Sequence, residues 1–126
     1  MTKQIIKTDQ APAAIGPYEQ AIRLGNMLFS SGQIALDPKT GEFLAGEIEA
    51  ETEKTLNNLQ AILKAAGMDM TNVVKTNVYL ADINHFARMN EVYAKFFEES
   101  KPARACVQVA ALPKGAKVEI DIIAAN

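Results

Sequence analysis

The sequence predicts an α+β fold, a mixed sheet with two helices packed on one face, and three observations predict it. Short β-compatible runs open and close the chain. Two stretches of helical periodicity lie between them. The second of these sits between two strands, the arrangement that makes a parallel crossover. At 126 residues the chain suits one domain over residues 1–126, large enough to hide roughly two-thirds of its unfolded-state surface.

Gln4 to Thr8 reads as a short strand. Pro12, Gly16 and Pro17 then stop regular structure and predict an ordered loop over residues 9–18. Gln20 to Leu24 and Met27 to Gln33 flank Gly25-Asn26, a two-residue connection suited to a β-hairpin. Asp37-Pro-Lys-Thr-Gly41 is a second turn. From Ile48 the period changes: Ile48, Thr52, Leu56, Leu59, Leu63 and Ala66 draw one stripe down a helix. Glu47, Glu49 and Glu51 suit its positive end, Lys64 its negative end, and Gly67 its C-terminal cap. Val73 to Leu80 is a strand, and Asn84 is placed to cap a second helix whose stripe is Phe86, Met89, Asn90, Tyr93, Phe96 and Phe97. Pro102 ends that helix, and strands follow from Ala103 to Val109 and from Lys117 to Ala124. The order is β, β-hairpin, α, β, α, β, β.

Composition excludes several kinds of chemistry. The one cysteine, Cys106, and the one histidine, His85, fall short of the three or four ligands of a Cys/His zinc site. No intrachain disulfide can form, which fits a reducing compartment. Thirteen basic against fifteen acidic residues leave a net charge of −2, so nucleic acid is not the leading partner. The first residues lack the apolar core of a signal peptide, and no apolar run approaches a membrane span. A cytosolic protein is expected.

Alternation separates the strand faces. Ala105, Val107 and Val109 fall opposite Arg104, Cys106 and Gln108; Val118, Ile120 and Ile122 fall opposite Lys117, Glu119 and Asp121; Val74, Val78 and Leu80 fall opposite Lys75, Asn77 and Tyr79. The apolar sets are expected to face the helices. The polar sets suit a solvated sheet face, and Arg104, Cys106 and Glu119 together also suit a small carboxylated ligand, since a guanidinium matches a carboxylate in two bonds. Asn90 stands inside an apolar stripe, where an amide needs a partner. His85 reads as a surface residue, and Cys106 lacks a histidine on its own element to activate it.

Several blocks are similar to the RidA/YjgF family: Ala11-Pro-Ala-Ala-Ile-Gly-Pro-Tyr18, Phe29-Ser-Ser-Gly-Gln-Ile34, Asn90-Glu-Val-Tyr93, and Pro102-Ala-Arg-Ala-Cys-Val-Gln-Val109 followed by Val118-Glu-Ile120. The resemblance runs from about Ile5 to Ala124. It implies a chorismate-mutase-like domain that assembles as a homotrimer, with sheets around a central axis and ligand clefts between subunits. The implied activity is hydrolysis of 2-imino acids, such as 2-iminopropanoate and 2-iminobutanoate, to 2-keto acids and ammonia. No metal or organic cofactor is implied. Arg104 matches the position that clamps the substrate carboxylate, and Glu119 the acidic residue that holds the attacking water. Cys106 matches a cleft residue that acts through its backbone, while Tyr18, Ser31 and Asn90 match cleft-lining positions. Ala105 and Ala111 depart from residues frequent in the family, and the stretch from Glu98 to Lys101 is short. Regulatory, ribonuclease or chaperone-like binding roles within the same family are the alternative.

Overall fold

A computed structural model describes residues 2–126. Its strands are β1 (Lys3–Ile6), β2 (Ala21–Leu24), β3 (Met27–Ser30), β4 (Val73–Leu80), β5 (Ala103–Gln108) and β6 (Val118–Ala125), with helices α1 (Ile48–Ala65) and α2 (Phe86–Phe97). The element order is the expected one. All six strands form one sheet in the order β1-β2-β3-β6-β4-β5, antiparallel except for the β4–β5 pair. The last strand in the chain thus inserts between β3 and β4, a placement that strand-by-strand patterning does not contain.

Local chemistry explains most boundaries. Gly25 takes a φ of 63° in the hairpin that pairs Leu24 with Met27. Asp37 closes the second turn by accepting from the Lys39 and Thr40 amides at 2.8 and 3.2 Å, and Gly41 completes it at φ 75°. α1 ends at Ala66, followed by Gly67 at φ 74°, and the Ala66 carbonyl accepts from Arg23 Nη1 at 2.8 Å. The second helix begins differently from expectation. Asp82, not Asn84, caps the 3-10 turn Ile83–His85 by accepting from the Asn84 amide at 2.9 Å, and α2 continues from that turn.

Both helices cover one face of the sheet, and a single core fills the space between. Leu56, Leu59, Ile62 and Leu63 of α1 and Met89 and Phe97 of α2 pack with Leu28, Val78, Leu80, Val118, Ile120 and Ile122. Full burial of each such side chain contributes roughly 1.5–3 kcal/mol. Two details depart from the simple stripes. A register shift between Val73 and Lys75 turns Val74 outward, 48% exposed, and puts the buried Thr76 in the helix-facing row instead. Glu51, one of the acidic residues at the positive end of α1, is buried.

The facing of β5 is the reverse of expectation. Its parallel register pairs Thr76 with Arg104 and Val78 with Cys106, and Thr76 and Val78 face the helices. Arg104, Cys106 and Gln108 therefore share the helix side, while Ala105 and Val107 lie with Asn77 and Tyr79 on the open side. The open face is not uniformly polar either. Ile5, Phe29 and Val107 expose 56, 40 and 48% of their surface there, beside the polar band of Asn77, Asp121, Tyr79 and Glu119.

Candidate functional site

The expected site residues fall into two groups, one on each side of the sheet. On the helix side, Arg104 stands on the edge strand β5 against α2. Its Nη1 donates to Asn90 Oδ1 at 2.6 Å, and its guanidinium carbon lies 4.6 Å from the Tyr93 ring centroid and 5.2 Å from that of Phe86. These contacts give the cation an aromatic seat and one fixed hydrogen bond. Tyr93 is held in turn by a 2.8 Å bond between its hydroxyl and Thr76 Oγ1. Asn90 thus has the partner that its place in an apolar stripe requires. Arg104 remains an exposed residue, so its planar donor fork stays accessible to an anion.

Cys106 lies two residues along the same face, half-buried against the core. Burial pushes its thiol up, with the nearby Arg104 charge opposing, so the reactive thiolate is disfavoured at neutral pH. Tyr93 and Phe86, which periodicity assigned to the core, are the residues that alternation missed here. The signal available was spacing: Phe86 and Tyr93 flank Asn90 at four and three residues, on one helix face.

On the open side, Glu119 borders a cavity of about 370 Å³ whose walls include Tyr18, Ile15, Gly32, Pro113 and Lys114. Partial burial, and then the neighbouring Asp121, push the Glu119 carboxyl above the ordinary carboxylate range. A carboxyl so shifted holds or releases a proton closer to neutrality, as acid–base work requires. Gly32 makes room for it: a Cβ at that position would lie 2.9 Å from the Glu119 carboxyl carbon. The cavity's other wall is the loop over residues 9–18, pinned by the buried Gln20. Its Nε2 donates to the carbonyls of Thr8, Ala11 and Pro12 at 3.0, 3.2 and 2.8 Å, and its Oε1 accepts from the Thr8 amide at 2.8 Å. Ser31 lies at the edge of this region and spends its hydroxyl on the Glu19 carbonyl at 2.5 Å. Tyr18 is half exposed.

Arg104 and Glu119 do not meet within the chain. Glu119 pairs with Tyr79 on the open face, whereas Arg104 pairs with Thr76 on the helix face. The expectation that Arg104, Cys106 and Glu119 share one strand face is thus corrected. A larger furrow of about 690 Å³ between the helices is walled by exposed side chains such as Glu53, Asp69, Lys95 and Glu98, and none of the expected site residues lines it. Among the described residues no cluster of three or more His, Cys, Asp or Glu side chains is arranged to hold a metal, and no helix is long and apolar enough to cross a membrane.

These features define a single-domain α+β protein with a seated, accessible arginine and a shifted carboxyl in a separate cavity. The chain belongs to the RidA/YjgF family: the family model described as Endoribonuclease L-PSP matches residues 8–126. It is 55% identical over 122 residues to a RutC family protein of Pyrococcus horikoshii, covering 97% of each chain. It is 52% identical over 124 residues to the 2-iminobutanoate/2-iminopropanoate deaminase of Bos taurus, covering 98% of this chain and 90% of that one. The crystal structure of E. coli TdcF with bound serine superposes with a TM-score of 0.91 at 47% identity, covering 98% of each chain.

Proposed function

We propose that the protein hydrolyses 2-imino acids to 2-keto acids and ammonia, without a cofactor, at sites shared between the subunits of a homotrimer. The observation that carries this reading is the division of the two groups between opposite sheet faces. A carboxylate clamp and an acid–base group serve one substrate only if a neighbouring chain brings one face against the other. The exposed Ile5, Phe29 and Val107 on the open side supply apolar surface for such an assembly. The relatives named as deaminases act on short imino acids, and TdcF holds serine, a ligand of similar size with the same carboxylate.

The chemistry needs little beyond placement. Arg104 would bind the substrate carboxylate with its open donors, while Asn90, Tyr93 and Phe86 hold the guanidinium still. That fixes the C=N carbon relative to the cavity, and orientation of this kind can supply roughly 7–11 kcal/mol in well-aligned systems. Glu119 would take a proton from water as its oxygen attacks the imine carbon and hand that proton to the imine nitrogen. The resulting carbinolamine expels ammonia as the C=O bond forms, with Glu119 carrying the hydroxyl proton to the departing nitrogen. Imine and water give ketone and ammonia, with no redox change. Cys106 would contribute through its backbone, its thiol staying protonated. Imines of this kind arise from eliminations by pyridoxal-phosphate enzymes, whose protection is the proposed role.

A binding role without turnover has one specific support, the serine held by TdcF. An assay in which a dehydratase generates the imine in situ separates the two. The proposed catalyst shortens the imine's lifetime at substoichiometric protein, and a mere binder leaves it unchanged.

A further inference from the structure

One buried charged group has no place in the chemistry above. Glu51 shares the first turns of α1 with Glu49, yet its side chain has no exposure where that of Glu49 is 42% exposed. Glu51 Oε1 accepts from the backbone N–H of Lys117 at 2.9 Å, and Oε2 faces Lys117 Nζ at 3.4 Å. The same ammonium donates to the Gly46 carbonyl at 2.8 Å. The Lys117 side chain is 38% exposed, so attraction across this half-open pair does not by itself account for burying the carboxylate.

Its location does. Lys117 stands two residues before Glu119 and follows the turn Pro113–Gly115, two of whose residues, Pro113 and Lys114, wall the Glu119 cavity. The turn is under backbone strain: Lys114 has φ 58°, a left-handed value that a non-glycine residue keeps only where its surroundings impose it. One of its own hydrogen bonds is long, 3.3 Å from the Gly115 amide to Leu112 O, and the other runs 3.1 Å from the Ala116 amide to Pro113 O. Glu51 and the Ala81 amide, which donates to Lys117 O at 3.0 Å, fix the far end of this segment.

We infer that Glu51 is a positioning residue: by gripping Lys117 through backbone and side chain, it holds the Pro113–Lys114 wall and the entry of β6, and so sets where the Glu119 carboxyl stands. The inference rests on the reading of Glu119 as the acid–base group. Glu51→Leu removes both bonds and strands the Lys117 amide. Glu51→Gln keeps a neutral acceptor for that amide, a weaker partner than a carboxylate.

The test measures hydrogen–deuterium exchange over residues 112–119 together with imine hydrolysis, on the full chain as wild type, E51L and E51Q. E51L should speed exchange in that segment more than elsewhere and lower kcat about tenfold with KM within about twofold, as a displaced catalytic group does. E51Q should fall between E51L and wild type, with kcat within about threefold of wild type and exchange at the Lys117 amide about threefold faster than wild type, a neutral hydrogen bond being about half as strong as a charge-assisted one. If E51L does not fold, E51Q carries the test: exchange at the Lys117 amide should rise by about threefold, and wild-type exchange there overturns the proposal. An active wild type whose E51L variant keeps either wild-type kcat or wild-type segment exchange also overturns it. A wild type without imine hydrolysis, with segment 112–119 loosened in E51L, supports the grip and counts against the deaminase reading instead.

Discussion

The two faces of the sheet are built on opposite plans. The helix side immobilises a cation by surrounding it: Arg104 is fixed by Asn90 and two aromatic rings, with Tyr93 itself tied to Thr76. The open side places a carboxyl by clearing space around it. Glu119 stands over a glycine, in a cavity whose walls are a loop pinned by Gln20 and a strained turn. Charge is stabilised on the first face and disfavoured on the second, where burial raises the Glu119 carboxyl. A permanently charged group suits an anion clamp, and a carboxyl shifted upward by burial suits proton transfer. The proposed roles rest on this contrast.

Substitutions sharpen that assignment in proportion to how directly each group acts. Arg104→Ala should lower kcat/KM for an imino acid by about 10³, through lost orientation and lost charge complementarity. Arg104→Lys should recover little, because an ammonium lacks the planar fork. Circular dichroism should show an intact fold, since the side chain is exposed. Glu119→Gln should cost about 10² in kcat, the usual contribution of a positioned base. Its pH dependence carries the sign. Activity needs the ionised carboxylate, and the raised Glu119 value means that the rate climbs with pH through a midpoint above the ordinary glutamate range. In Glu119→Gln that climb should vanish. Smallest of all, Cys106→Ser should leave kcat within about threefold of wild type, because a protonated, half-buried thiol is not a nucleophile. A loss approaching that of Arg104→Ala would move the chemistry to the helix side.

Much of this architecture is legible in the sequence, and the failures have identifiable causes. Gly25-Asn26 specifies the hairpin and the Ile48 stripe specifies α1, because both depend on neighbours within a few residues. Alternation separated the two sides of β5 but not which side meets the helices. Small apolar residues such as Ala105 and Val107 suit either environment, while the stem of an arginine packs readily on aromatic rings. Only the parallel register with β4 decides the matter, and that register is a long-range fact. The bulge at Val74, the insertion of β6 and the burial of Glu51 are of the same kind. Alternation singled out Arg104, Cys106 and Glu119 and helical periodicity singled out Asn90, while Tyr18, Ser31 and the individual roles came from the family resemblance. What patterning could not supply is that Arg104 and Glu119 stand back to back within one chain.

That separation admits a direct measurement. Arg104→Ala and Glu119→Gln chains, each inactive alone, are dissociated, mixed in equal amounts and reassembled, and imine hydrolysis is followed. In a trimer with sites across the seams, every mixed assembly regains one seam with both native groups, so about a quarter of wild-type activity should return. A mixture that forms mixed trimers yet stays inactive would contradict a shared site and leave the two faces without a common substrate.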